Sequence, residues 1–181
     1  MTKRVTQIVD ILKDRFPDEI RDIHDFAGQI SVIVKKDRIV DILRFLHDTA
    51  ELDFDHLQDL CGVDYKDRKS CRFEVVYQLF SIEKGYAIRI RAEVPEDDAV
   101  IDTVTSIWEG AGWHERECFD MFGIVFRGHS DLRRVLMPED WQGYPLRKDY
   151  PLKGPQEYWQ GFQEVLQKAE EYRQYETKVI E

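Results

Sequence analysis

The amino-acid sequence predicts a two-layer α+β domain, with a mixed or mainly antiparallel sheet packed by helices, followed by an extended C-terminal segment. Three observations predict it. Apolar residues alternate with period two through the middle of the chain, apolar residues recur at helical spacing on either side, and four prolines crowd the region after Gly128. The 181 residues suit one domain with an appended tail, which divides as a core over 1–126 and an extended segment with a final helix over 127–181.

The first helix is expected where Val5, Ile8, Val9, Leu12 and Phe16 share one face, and Pro17 and Asp18 break that pattern. Ile30, Val32 and Val34 suggest a short strand. Asp37 is placed to cap a second helix whose face carries Val40, Leu43 and Leu46. Phe54 to Leu60 is a weaker strand candidate, interrupted by Asp55 and Asp59. Phe73, Val75, Tyr77 and Leu79 alternate with their neighbours, and after Glu83, Lys84 and Gly85 the cleanest alternation follows. In it Tyr86, Ile88, Ile90, Ala92 and Val94 face one way while Arg89, Arg91 and Glu93 face the other. Two such runs joined by a glycine-containing turn predict an antiparallel hairpin with one wet face.

Pro95 ends that strand, and Asp97 or Asp98 could cap a helix burying Val100, Ile101, Val104, Ile107 and Trp108. Gly110 and Gly112 interrupt it. A shorter helix restarting at Trp113 should end at Gly123. Beyond Gly128, Pro138, Pro145, Pro151 and Pro155 forbid a long helix or a central strand, so the segment should be extended and irregular. A last helix is expected with Trp159, Phe162, Leu166 and Ala169 on one stripe.

Charge limits the partners. The net charge of −10 disfavours phosphate backbones and anionic headgroups, so neither nucleic acid nor direct electrostatic membrane binding is expected. No run of 18 apolar residues exists, and the amino terminus lacks the apolar core of a signal peptide. Any association with a membrane would run through partners. Cys61, Cys71 and Cys118 are widely spaced and show no CxxC pair, which points to reduced thiols in a cytoplasmic protein.

Positions 115–153 stand apart from this acidic background. Seven acids (Glu115, Glu117, Asp120, Asp131, Glu139, Asp140, Asp149) balance seven bases (Arg116, Arg127, Arg133, Arg134, Arg147, Lys148, Lys153), so the whole −10 lies elsewhere. Charges of both signs mixed with Trp141, Tyr144 and Tyr150 suit an interface, where Arg makes bidentate contacts and aromatic rings anchor. The bland alternative is a solvated loop whose ion pairs each contribute about 0–1 kcal/mol.

Catalytic readings of the same stretch are weaker. His114 and Cys118, at i and i+4, could join Asp120 around a metal, but a stable site needs a third or fourth ligand and no further Cys or His is near in sequence. Glu115, Glu117 and Asp120 could pair for acid–base work, yet Arg116 and Arg127 would more naturally neutralise them. His129 could be a general base or a hydrogen-bonded structural histidine. No GxGxxG or phosphate-loop pattern occurs. Catalytic, cofactor and metal sites are therefore expected to be absent from this chain.

The run ERECFDMFGIVFRGHSDLRRVLMPEDWQGYPLRKDYPL, at positions 115–152, resembles the defining motif of the 30-kDa subunit family of respiratory complex I. There a helix bearing ERE-x-x-D-M-F/L-G leads into G-I-x-F-x-x-H, then L-x-R-I/V-L-M-P, then D/S-W-x-G-x-P-L-R-K-D-Y. FDHLQDLCGVDY and FEVVYQLFS resemble the family's β-rich core more loosely. Ser130 and Tyr144 depart from the Pro and His found in many members, which argues against a chemical requirement for His at either place.

The resemblance implies a non-catalytic structural subunit of the peripheral arm of a proton-translocating NADH:quinone oxidoreductase. It would sit on the cytoplasmic side of a bacterial cell membrane and support the 49-kDa quinone-site subunit and the iron–sulfur subunits. FMN, iron–sulfur clusters, NADH and quinone would belong to the whole complex and none to this chain. The interface expected from it comprises Glu115, Arg116, Glu117, Asp120, Arg133, Arg134, Trp141, Arg147, Lys148, Asp149, Tyr150, Trp159 and Phe162. On this reading Arg147→Ala reduces incorporation and leaves the isolated fold intact. Two alternatives stand beside it: the equivalent subunit of a membrane-bound hydrogenase or ferredoxin-dependent quinone reductase, and a free-standing hydrolase using the 115–120 carboxylates.

Overall fold

The computed structural model describes residues 2–152 and 163–172, with side-chain surroundings from residue 7 onward. Helix α1 (Thr2–Arg15) leads through a turn to the antiparallel pair β1 (Ile20–Phe26) and β2 (Gln29–Lys35). One 3-10 turn (Lys36–Arg38) precedes α2 (Ile39–Asp48). Strands β3 (His56–Asp64), β4 (Phe73–Ser81) and β5 (Tyr86–Val94) complete a five-stranded sheet in the order β1-β2-β5-β4-β3. Within this sheet only the β2–β5 pair is parallel, because the crossover through α2 and the β3–β4 hairpin brings the chain back in the same direction. The expected two-layer α+β architecture with a mixed sheet is what the chain adopts.

Register explains the core. Leu60, Tyr77, Ile90 and Val32 are directly opposite one another across four strands, and Gly62, Val75, Ala92 and Val34 form the parallel row beside them. The buried side chains of these rows join Ile8, Val9 and Leu12 of α1 and Ile39, Ile42, Leu43 and Leu46 of α2 in one apolar cluster. Each fully buried aliphatic side chain contributes roughly 1.5–3 kcal/mol, so this single cluster dominates the stabilisation of the fold.

Several local expectations are corrected. β1 escaped the sequence reading because only Ile20 and Ile23 of its residues are even partly buried; its charged flanks suit an edge strand. The two-residue Ala27–Gly28 turn, both at positive φ, was the available signal. Asp37 makes no cap: Arg38 holds the N-cap position of α2, and Asp37 sits within the 3-10 turn. The weak strand at 54–60 is the longer β3, His56–Asp64. The second face of the hairpin is half-covered and not simply wet, with Glu74 wholly buried beneath Arg91 and Lys69.

The helix expected from Asp97 to Trp108 does not form. Val100–Asp102 is instead a short strand, β6, paired in parallel with β7 (Val125–Arg127). Val100, Ile101, Thr103, Val104 and Thr105 are β-branched, which lowers helix propensity over the run. The burial expected of it holds for Ile101, Val104 and Trp108, while Val100 and Ile107 are only partly buried. Helix α3 (Ala111–Phe122) then ends at Gly123, in the left-handed region at φ 74°.

Residues 128–152 contain no helix or strand, in line with their prolines. Residues 163–172 are helical and exposed, Leu166 and Ala169 included, while Trp159 and Phe162 lie outside the described residues.

Candidate subunit interface

The charged stretch folds back on its own module, and two acids organise it. Asp120 lies on α3 with its side chain fully buried. Its Oδ2 accepts the amides of Val135 (3.0 Å), Leu136 (2.7 Å) and Met137 (2.8 Å). Its Oδ1 accepts Arg134 Nη1 at 2.6 Å, and Arg134 Nη2 reaches the carbonyls of Trp141 and Gly143. Burial pushes the Asp120 carboxyl up, but the Met137 amide, Arg134 and the amides of Leu136 and Val135 together hold it below the usual carboxylate range.

The second organiser is a pair across the end of the β3–β4 hairpin. Arg72 donates Nε and Nη2 to the two oxygens of Asp64 at 3.1 and 3.0 Å, a bidentate bond that is almost wholly buried. The stretch then adds to it: Lys148 donates its amide to Asp64 Oδ2 at 2.8 Å, and Asp149 accepts Arg72 Nη2 at 2.6 Å and Lys66 Nζ at 3.0 Å. Burial raises the Asp64 carboxyl, yet Arg72 and the amides of Lys148 and Lys66 bring it below its ordinary value. Arg72 and Lys66 hold Asp149 far below its own.

Arg147 ties the middle. Its Nε donates at 2.6 Å to the carbonyl of Phe122, the last residue of α3, where a cation also meets the negative end of the helix dipole. Its guanidinium lies over Tyr144 and Phe73, 4.5 and 5.0 Å from the ring centroids. Tyr144 sits against Gly123 so closely that a Cβ there would stand 2.5 Å from the ring.

Glu115, the first acid of the motif, is fully buried in the first half of α3. It accepts the Val104 amide (2.7 Å) and the Thr103 hydroxyl (2.5 Å), fixing the turn after β6. Burial raises its carboxyl despite those bonds. His129 accepts the Asp131 amide at Nδ1, so Nε2 carries the proton and donates to the Gly112 carbonyl. Both ring nitrogens are thus engaged by the backbone.

The residues expected at the interface therefore divide. Glu115, Asp120, Arg134, Arg147 and Asp149 find partners inside the chain, as do Arg116, which donates to the carbonyls of 133 and 134, and Tyr150, which donates to the Gln142 carbonyl. Trp141 is half-buried within the same segment. Lys148 is held by its amide with the residue exposed, and Arg133 and Glu117 face outward. Large apolar side chains of the same stretch of chain are also turned to solvent: Trp113 at 64% exposure, Leu136 at 61% and Leu146 at 51%. Asp64 and Arg72 were missed in sequence, because the bond that makes them important spans a hairpin and then meets a segment some 80 residues away.

The three acids of α3 have different surroundings. Glu115 bonds to the turn after β6 and Asp120 to residues 134–137, and Glu117 is exposed. His114 lies 3.5 Å from Asp59, Cys118 is buried, and Asp120 is saturated, so these three share no metal position. Among the described residues no group of three His, Cys, Asp or Glu could hold a metal ion, and no helix is long and apolar enough to cross a membrane.

Comparison with known proteins agrees with the motif. Residues 32–156 match the family model described as the respiratory-chain NADH dehydrogenase 30 kDa subunit. The C-subunit of NADH-quinone oxidoreductase from Roseiflexus sp. (strain RS-1) is 50% identical over 145 residues, covering 80% of this chain and 83% of that one. Its counterpart in Geobacter sulfurreducens is 46% identical, covering 80% and 88%. Among solved structures, a trypsin-resistant fragment of Nqo5 (1-134) superposes with a TM-score of 0.61 at 33% identity, covering 71% of this chain and 99% of the fragment. A chain of the archaeal membrane-bound sulfane sulfur reductase superposes at 0.67 and 26% identity, covering 82% and 86%.

Proposed function

This chain belongs to the 30-kDa subunit family of the respiratory-chain NADH dehydrogenase, and we propose that it is a structural subunit of the peripheral arm of an NADH:quinone oxidoreductase. It carries no catalytic residue on this reading. FMN, the iron–sulfur clusters, NADH and quinone are handled by other subunits, and the chain reaches the cytoplasmic face of the membrane only through them. The 49-kDa quinone-site subunit and its iron–sulfur neighbours are the proposed partners. Quinone pockets and electron-transfer chains need their walls held rigidly, which a packed outer shell of protein supplies.

The observation that carries this reading is how the motif's charges are used. Many of them are bonded within the module, while Trp113, Glu117, Arg133, Leu136, Leu146 and Lys148 are exposed. Exposed large apolar side chains together with charges of both signs are the composition of a protein–protein contact. Trp159 and Phe162 remain proposed additions to it.

Leu136→Asp tests the proposal. An exposed substitution of this kind moves the stability of the isolated chain by only about 0.5 kcal/mol. Co-purification with the remaining subunits should fall sharply. Normal assembly with a selective loss of turnover would instead give the chain a direct part in catalysis.

A second reading keeps the module and changes the machine to a membrane-bound hydrogenase or ferredoxin-dependent relative. The likeness to a sulfane sulfur reductase chain supports it, since the same fold serves a different respiratory complex. The 50% identity to an NADH-quinone oxidoreductase chain favours the first reading. The electron donor accepted by the purified complex decides between them.

A further inference from the structure

Among the described residues four acids are buried: Asp64, Glu74, Glu115 and Asp120. Three of them meet a cation: Arg72 pairs with Asp64, Lys69 and Arg91 with Glu74, and Arg134 with Asp120. Glu115 is the exception, since no described lysine or arginine pairs with it. His129 stands beside it, but its Nε2 is 4.0 Å from Glu115 Oε2 and donates to the Gly112 carbonyl instead. The other ionisable groups that act on Glu115 are the Tyr77 hydroxyl of β4 and the Cys118 thiol, one turn further along α3. Burial holds both far above their ordinary values, so neither supplies a charge. An enclosed carboxylate without a countercharge is costly, and binding a proton removes that cost.

Two hydroxyls provide a path for that proton. Thr103 Oγ1 lies 2.5 Å from Glu115 Oε2 and 3.0 Å from Thr105 Oγ1, and it accepts the Thr105 amide at 3.3 Å. A hydroxyl has one proton to donate and two lone pairs to receive. With Glu115 ionised, Thr105 donates to Thr103 and Thr103 donates to Oε2. With Glu115 protonated at Oε2, the acid donates to Thr103 and Thr103 donates to Thr105. Each of these bonds survives in both states, and the Val104 amide stays on Oε1 at 2.7 Å. Thr105 is only half-buried, so the chain of hydroxyls runs from the enclosed carboxyl toward solvent.

We propose that Glu115, Thr103 and Thr105 form a proton-holding site inside the fold, in which the carboxyl takes up and releases a proton as the two hydroxyl bonds reverse direction and the backbone stays in place. The proton is exchanged with bulk water, and no other covalent bond is made or broken. This inference concerns one chain alone and holds whichever complex it joins.

Carboxyl-carbon NMR on the isotopically labelled full chain tests it, with the resonance identified by its loss in Glu115→Gln. The Glu115 signal should titrate with a midpoint above the ordinary glutamate value of about 4.3, while the backbone spectrum stays native. The Val104 amide proton should follow the same curve, and it supplies that curve even if Glu115→Gln fails to fold. Thr103→Val removes a donor to the charged form, so the carboxyl should hold its proton roughly tenfold more tightly. Thr105→Val should act in the same direction by less. Any of three results overturns the proposal: a midpoint at or below about 4.3, a transition that coincides with unfolding, or a carboxyl that either threonine variant leaves unmoved.

Discussion

Replacing Gly123 by Ala separates two contributions that the same position combines. At φ 74° an L-residue meets a backbone penalty of about 1–2 kcal/mol. The new Cβ would also stand 2.5 Å from Cε2 and Cζ of Tyr144 and 2.7 Å from Arg147 Nη2. Neither group can simply swing aside. Tyr144 carries the guanidinium groups of both Arg134 and Arg147 over its ring, and Arg147 is bonded to the Phe122 carbonyl. Displacing the ring forfeits cation–π contacts of about 0.5–1 kcal/mol each. The sum is about 2–4 kcal/mol, which for a chain of this size lowers Tm by about 4–16 °C. Gly85→Ala is the control, since Gly85 also has a positive φ (68°) but nothing within 4 Å of its Cβ position. Thermal unfolding of the isolated chain should therefore show Gly123→Ala to be worse than Gly85→Ala by at least about 1 kcal/mol. Equal losses would mean that Tyr144 and Arg147 do not seat on the end of α3, and the packing described for residues 134–149 would be wrong.

Arg147→Ala should destabilise the isolated chain by about 2 kcal/mol, through the lost helix-terminus bond and two ring contacts, before any effect on assembly. Unfolding in urea reads this, and an unchanged midpoint would return Arg147 to the role of a contact between proteins. Asp64, Asp120 and Asp149 are held below their unfolded values, so their contribution is complete above about pH 4 and drains away as pH falls through the folded values. The urea midpoint should drop steeply below about pH 4, and less steeply in Asp120→Asn. Glu115 has the opposite sign: its raised carboxyl favours the protonated fold, so Glu115→Gln should be at least as stable as wild type near neutral pH. A clear loss there would show that the charge itself is needed. Native alkylation should label the exposed Cys61 well before Cys118, whose thiol burial holds far above its usual pKa. Equal labelling rates, read by mass spectrometry, would show that α3 does not stay packed on β3.

The positions that sequence reasoning read correctly share one property: the force that places them is local or periodic. β4 and β5 show as alternation because one face of each is in the core, and the end of α3 shows in Gly123 because only glycine adopts that turn at little cost. The motif at 115–152 was legible as a unit for the same reason, being continuous in the chain. Errors arose where two patterns competed. The spacing of Val100, Ile101, Val104 and Trp108 fits a helical stripe, and the burial of the last three is real. The β-branched run and the pairing with Val125–Arg127 nevertheless decide for strand and turn. β1 failed for the converse reason, since an edge strand held by backbone bonds leaves little trace in side-chain pattern.

Composition and motif determined that residues 115–153 carry balanced charge in an acidic chain and mark its family. Only the tertiary structure decided what those charges touch. A carboxylate cannot signal in sequence whether its partner is a neighbouring protein or an arginine of its own chain, because Coulomb attraction and hydrogen bonding depend on distance in space. Asp120 and Arg134 are fourteen residues apart, Arg72 and Asp149 seventy-seven, and both pairs close inside the molecule. The fold brings them together by seating residues 134–149 on α3 and on the hairpin end. The side chains those internal bonds leave outward are the ones proposed for a partner.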